Sequence, residues 1–338
     1  MKPQDTHAFY DVITDEATAG IPADLDVWPR ISRGLLVGGS VAGKRSASIR
    51  RLTWPRVRLG GMRVGAIVVL ALIVLIVGTP RVDQSGSAAA ALLNDLATVA
   101  RAQAAPLPLA AGSYVYTREE SMYTSTLVVR GGETITALVP KTRSMWVAAD
   151  GSGRIQEAAG EPIFLSERSR TAWSAAGSPP LARPINRDFD AGGLSYEDPG
   201  SLPSNPGALA TVVRQRAEGT GVPVDVEMFI VIGDLLRQQS SPPEVRAALY
   251  QLATTIPSVD LIGARADHAG RPGVAIGKVT DHFGGRQSLV LIFDPRNSAL
   301  LGEERVLLDA ASWVDTTPPV VISYAVYLES GIVDTLPQ

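Results

Sequence analysis

The chain has 338 residues, 19 % of them charged and 45 % apolar, a balance that builds a folded core and excludes wholesale disorder. It has no cysteine, which excludes disulfides, thiolate catalysis and cysteine zinc sites. Its net charge of −3 hides a steep asymmetry: residues 1–29 carry six acids against Lys2, residues 30–63 nine bases and no acid, and the residues after Thr79 21 bases against 28 acids. Arginine outnumbers lysine 27 to 4, the bias of a GC-rich bacterial genome.

In the first 58 residues, His7 to Ala17 spaces Phe9, Val12 and Ile13 among acids, which predicts a short helix stopped by Gly20 and Pro22. Leu25 and Trp28 follow in an acidic turn or extended segment. Two readings of these apolar groups stand side by side. They form a small hairpin that packs on itself or on the membrane, or they dock a cytoplasmic partner through Phe9, Val12, Leu25 and Trp28. Gly38 to Arg45 imitates a phosphate loop, but Arg45 stands where the magnesium-binding hydroxyl belongs and the surrounding segment is too short for a nucleotide domain. It reads instead as a flexible linker. The basic stretch Lys44–Arg63 with Trp54 has the materials of a nucleic-acid site. Attraction to anionic lipid headgroups explains the same residues with less assumed, so no direct nucleic-acid binding is expected.

From Val64 to Thr79 there is no charged side chain. Sixteen helical residues cover only ~24 Å of a ~30 Å hydrocarbon layer. Residues 59–79 reach ~31 Å once Arg63 snorkels, with Arg56 and Arg58 completing an interfacial anchor. A cleaved signal peptide fits the core length but not a start some sixty residues into the chain. Bases stay on the cytoplasmic side of a span, so the charge asymmetry predicts residues 1–58 inside, a transmembrane helix at 59–79 and residues 80–338 outside the cytoplasm.

Beyond the span, Ser87 caps a predicted helix to Ala105 with Leu92, Leu93, Leu96 and Val99 on one face. Tyr114–Tyr116, Thr124–Val129, Thr134–Val139 and Ser144–Ala149 read as strands of an antiparallel meander, with turns at Gly131-Gly132 and Asp150–Gly153. Ser166 caps a short helix to Ala176, and 178–204 reads as a surface loop or boundary. Three helices follow. One opens at Asn205-Pro206, one carries the stripe Met228, Phe229, Ile232, Leu235 and Leu236, and one opens at Ser241-Pro242. Five strands close the chain at Val259–Ala264, Val274–Val279, Ser288–Phe293, Leu300–Leu308 and Val320–Leu328. Strands, helices, then strands predict an α+β fold with an antiparallel sheet.

No catalytic motif emerges. His268 and His282 each follow an Asp, but successive turns of a meander lie about 20 Å apart, so they should not share an ion. The aspartates are expected to bond local backbone amides. Glu119-Glu120 and Glu303-Glu304 are neighbours on strands and point to opposite faces, so neither pair acts as a dyad. No catalytic, cofactor or metal residue is assigned, and the chain is not expected to be an enzyme.

Ala149-Asp150-Gly151-Ser152-Gly153-Arg154, Ile232-Gly233-Asp234-Leu235-Leu236-Arg237 with Pro242-Pro243, and Leu291-Ile292-Phe293-Asp294-Pro295 resemble a family of uncharacterised actinobacterial single-pass membrane proteins, often encoded beside extracytoplasmic-function sigma factors. The tail from Phe9-Tyr10-Asp11 to Trp28-Pro29 is similar to their cytoplasmic segments. More distantly, strands curving over helices resemble the lipoprotein-carrier fold. The resemblance implies a non-enzymatic sensor or regulator, with an outer domain and an inner tail that docks a sigma factor. The alternative it leaves is a binder of lipid or another hydrophobic ligand on the sheet's concave face.

Overall fold

The computed structural model describes residues 85–337, apart from 130–133, 195 and 239. The predicted tail and span, residues 1–79, lie outside the described residues, as does the Gly131-Gly132 turn. Among the described residues no helix is long and apolar enough to cross a membrane.

The chain runs through α1 (Ser85–Arg101), β1 (Tyr114–Val128), β2 (Thr134–Val147), β3 (Gly153–Ala159), α2 (Glu167–Ala175) and β4 (Ile185–Phe189). Next come α3 (Pro206–Ala217), α4 (Val224–Leu236) and α5 (Pro243–Ala253). The last strands are β5 (Val259–Ala266), β6 (Pro272–Thr280), β7 (Gln287–Phe293), β8 (Leu300–Leu307) and β9 (Val320–Val333). All nine strands join one antiparallel sheet in the order β4-β3-β2-β1-β9-β8-β7-β6-β5. The α+β class and the antiparallel sheet are as predicted. What the sequence did not show is that the two strand groups are halves of one sheet, joined where β1 pairs with β9, Tyr114 opposite Val333 and Ser121 opposite Ala325.

Helices α1, α3, α4 and α5 fill the inner face over the β5–β9 half. Leu93 and Leu96 of α1, Leu209 and Val213 of α3, Phe229 and Ile232 of α4 and Leu249 and Tyr250 of α5 share one core with Ile276, Leu291 and Phe293. Gly233 lets α4 approach β7, because a Cβ there would lie 3.1 Å from Leu291. The predicted caps hold for α2 and α3: the Ser166 hydroxyl accepts from the Ser169 amide, and the Asn205 amide oxygen accepts from Gly207 and Ala208. On α1 the buried positions are Ala89, Leu93, Leu96, Ala97 and Ala100, so Val99 lies at the stripe's margin.

Three differences have physical reasons. The segments read as four short strands are two long ones, because Arg118 to Ser121 are held in a ladder on both sides and pairing overrides their weak β propensity. Strand β3 was missed because Arg154, Gln156, Glu157 and the alanines look like a polar turn. The 178–204 segment is more than a surface loop. It contributes β4, and Phe189, Leu194 and Tyr196 cover Met145, Val147 and Ile155 on the inner face of β2 and β3. Leu181 accepts a hydrogen bond from the Ser125 hydroxyl, and Glu197 pairs with Arg216 of α3.

The outer face has its own cover. The β5–β6 turn lies across it: Arg265 and His268 both reach Glu304 of β8, and the His268 ring stacks on Tyr324 of β9 at 3.8 Å. Arg271 donates to the carbonyls of Leu301 and Tyr327. The Asp267 carboxylate organises this turn by accepting from the amides of Ala269 and Arg271, as expected of a turn aspartate. His282 instead packs edge-on against Phe283, so the two histidines have separate surroundings.

Candidate functional site

The register of five adjacent strands builds a polar strip on the inner face. Arg143 of β2 stands opposite Glu157 of β3 and Glu119 of β1, and Glu119 stands opposite Tyr327 of β9. One step along, Lys141 faces Ser121, Ser121 faces Ala325, and Ala325 faces Glu303 of β8. The glutamate pairs split as predicted. Glu303 lies against α4, its carboxylate 3.8 Å from where a Cβ on Gly233 would stand, whereas Glu304 is on the outer face with Arg265 and His268.

Strand order then recombines the two pairs, which no local sequence pattern encodes. One member of each pair, Glu119 and Glu303, is brought to the same face because β9 sits between β1 and β8. The strip lies in a seam between two covers, α4 on one side and, over the neighbouring Met145 and Ile155, the side chains of Phe189, Leu194 and Tyr196 on the other. Its side chains are neither sealed nor open: Lys141, Arg143, Glu119, Asp234 and Arg237 are all half-buried.

Within the seam most charges are committed. The Glu157 side chain, 1 % exposed, accepts from Lys141 Nζ at 2.7 Å and from Arg143 Nε at 2.7 Å. Arg237 holds Asp234 at 2.6 Å. Arg143 also reaches Glu119, but only at 3.8 Å. Two groups have no such partner. Among the described residues Glu303 makes no ion pair or hydrogen bond, although its carboxyl is half-buried. Tyr327 is 7 % exposed and its buried hydroxyl has no hydrogen-bond partner.

Electrostatics follow from that placement. Burial pushes the Glu303 carboxyl above the ordinary carboxylate range; Arg237 and Arg305 oppose the shift, and Asp234 and Glu119 add to it. Burial, reinforced by Glu303, likewise raises the Tyr327 phenol well above its usual value. The stability consequence has a definite sign. A carboxyl whose folded pKa exceeds its unfolded value costs nothing below the unfolded pKa; its penalty grows as pH rises from the unfolded to the folded pKa and is constant above that. Glu303→Gln should therefore raise the denaturation midpoint at pH 7.5, with the gain shrinking towards zero as the pH is lowered to 4. Urea titrations of the purified full chain at several pH values check this; a gain that persists unchanged at low pH contradicts it.

The predicted docking residues Phe9, Val12, Leu25 and Trp28, and the predicted anchor residues Arg56, Arg58 and Arg63, lie outside the described residues. Among the described residues no group of three or more histidines, aspartates and glutamates is placed to hold a metal ion.

No family model matches the chain, and no curated protein matches it. Among solved structures, the crystal structure of MucB in complex with MucA(peri) is similar at 11 % identity and a TM-score of 0.20, over 74 % of this chain and 57 % of that chain. A likeness at that score carries no argument about this chain's fold or function.

Proposed function

We propose that this protein is a non-enzymatic regulator held in the cell membrane, with residues 80–338 outside the cytoplasm and residues 1–58 docking a cytoplasmic partner such as a sigma factor. The observation that carries this reading is the charge pattern around the apolar run: nine bases and no acid in 30–63, then no charge from Val64 to Thr79. The first helix among the described residues, α1, begins at Ser85, six residues beyond Thr79. Three of its buried acids serve structure, Glu157 with Lys141 and Arg143, Glu304 with Arg265 and His268, Asp267 with Arg271. Such pairing supports a binding or signalling role over acid–base chemistry.

The absence of cysteine makes the topology directly testable. A cysteine replacing exposed Ser204 should be labelled by a membrane-impermeant maleimide in intact cells, and one replacing Ser48 should be labelled only after lysis. The reverse pattern would overturn the orientation. For the tail, the full chain carrying both Phe9→Ala and Trp28→Ala should retain its cytoplasmic partner at least about tenfold less well in a pull-down, since buried aromatic anchors dominate small interfaces. Equal retention would remove the docking role.

A lipid-holding inner face has less support. Over β5–β9 that face is occupied by Phe229, Leu249, Tyr250 and their neighbours, which an acyl chain would have to displace.

A further inference from the structure

We infer that the seam between α4 and the cover formed by Phe189, Leu194 and Tyr196 binds a cationic nitrogen group, an ammonium or a guanidinium, with Glu303 as its counter-ion and Tyr327 and Glu119 as flanking acceptors. The seam's cations are already engaged, Lys141 and Arg143 by Glu157, Arg237 by Asp234 and Arg305 over the Phe283 ring, so an anion would have to compete with existing contacts. The polar atoms left over are the Glu303 carboxylate and the Tyr327 hydroxyl, and Glu119 is held only loosely at 3.8 Å. A carboxylate and a phenol oxygen both accept hydrogen bonds. The complementary ligand is a charged donor.

The strand register places these groups on one face of neighbouring strands. It sets Glu119 opposite Tyr327, and sets Glu303 opposite Ala325, two residues before Tyr327 on β9. The Tyr327 side chain is deeply buried and its hydroxyl has no hydrogen-bond partner. An arriving cation would lower the cost of ionising Glu303, so binding and deprotonation are coupled. The groups facing Glu303 are Asp234 and Arg237 from α4, Arg305 on its own strand and Glu119 from β1. Among these, Glu303 is the acid without a partner. The proposal concerns this domain alone and stands or falls independently of the anchor and the tail.

Two sources carry this chemistry, a small free amine and a basic side chain of a partner protein. The test is calorimetric titration of the full chain in detergent micelles with agmatine, with the peptide acetyl-Ala-Arg-Ala-amide, and with its uncharged citrulline counterpart. At least one charged probe should bind saturably to a single site, and the citrulline peptide should not. Glu303→Gln should weaken binding at least about tenfold, the scale of a lost charged hydrogen bond, and Tyr327→Phe about threefold. Glu329→Gln, which touches only the exposed pair with Arg118, should leave binding unchanged. Wild-type affinity should rise with pH across the range in which Glu303 ionises. Tighter binding of agmatine assigns the site to a free amine, and tighter binding of the arginine peptide to a partner's side chain. Since Glu303→Gln is expected to unfold at a higher midpoint near neutral pH, its loss of binding is distinguishable from loss of fold. Equal binding by Glu303→Gln, equal binding of the citrulline peptide, or no saturable binding of either charged probe would overturn the proposal.

Discussion

Replacing Tyr250 by alanine should destabilise the folded domain by about 3–5 kcal/mol, the range for deleting a buried aromatic side chain. Tyr250 is fully buried on α5, its ring meets Phe293 of β7 edge-on at 5.5 Å, and its hydroxyl donates to the Ser298 carbonyl in the β7–β8 turn. It thus ties a helix to the sheet through packing and to a turn through a hydrogen bond. A pair of substitutions separates the two contributions. Tyr250→Phe keeps the ring and leaves the Ser298 carbonyl without this donor, which should cost about 1–3 kcal/mol. Urea denaturation of the full chain, followed by tryptophan fluorescence, measures both. Equal losses in the two variants would mean that the hydroxyl, not the ring, holds α5 in place.

Ser121→Pro should be as damaging, by about 3 kcal/mol or more, for a different reason. Ser121 sits in β1, 3 % exposed, paired with Lys141 on one side and Ala325 on the other. Proline removes a ladder donor and inserts a ring where both edges of the strand are occupied. Because β1–β9 is the joint between the two halves of the sheet, the variant should also lose cooperativity. Trp146, Trp173 and Trp313 report on different parts of the domain, and their unfolding should separate where the wild-type chain gives one transition. Ser121→Ala, which keeps the backbone amide, should cost no more than about 1 kcal/mol. A Ser121→Pro chain with an unchanged midpoint and a single transition would show that the joint is not where the sheet's cooperativity resides.

Local chemistry explains which parts of the fold were legible. Ser166 and Asn205-Pro206 mark helix starts because a side-chain oxygen before the first turn satisfies amides that the helix cannot. The stripe Met228, Phe229, Ile232, Leu235 and Leu236 is buried in full, as its spacing predicts. The turn aspartate Asp267 does bond nearby amides, because that geometry is set within four residues, whereas in the His282 turn the His282 amide donates to the Thr280 hydroxyl and not to Asp281. Less was legible where partners are distant in sequence. Strand β3 carries Glu157, whose carboxylate is buried only because Lys141 and Arg143 come from the neighbouring strand to meet it. The 178–204 segment looks solvent-loving until Phe189, Leu194 and Tyr196 are seen lying on the sheet.

The seam is the sharpest case. From the sequence, Glu119-Glu120 and Glu303-Glu304 divide between opposite faces, and that much follows from the two-residue period of a strand. Whether Glu119 and Glu303 then meet depends on strand order, and no local pattern encodes it. The sequence by itself determined the charge asymmetry around the apolar run, the α+β class, the helix starts and the inward stripes, since each rests on side-chain chemistry within one or two turns of chain. The tertiary structure alone decided that the two strand groups are one sheet, that β9 lies between β1 and β8, and that Glu303 and the Tyr327 hydroxyl share a half-buried seam without partners. The physical reason is that β-ladder bonds join backbone groups common to every residue. Which strands meet is settled by the burial of whole faces, and that becomes visible only once the chain has folded.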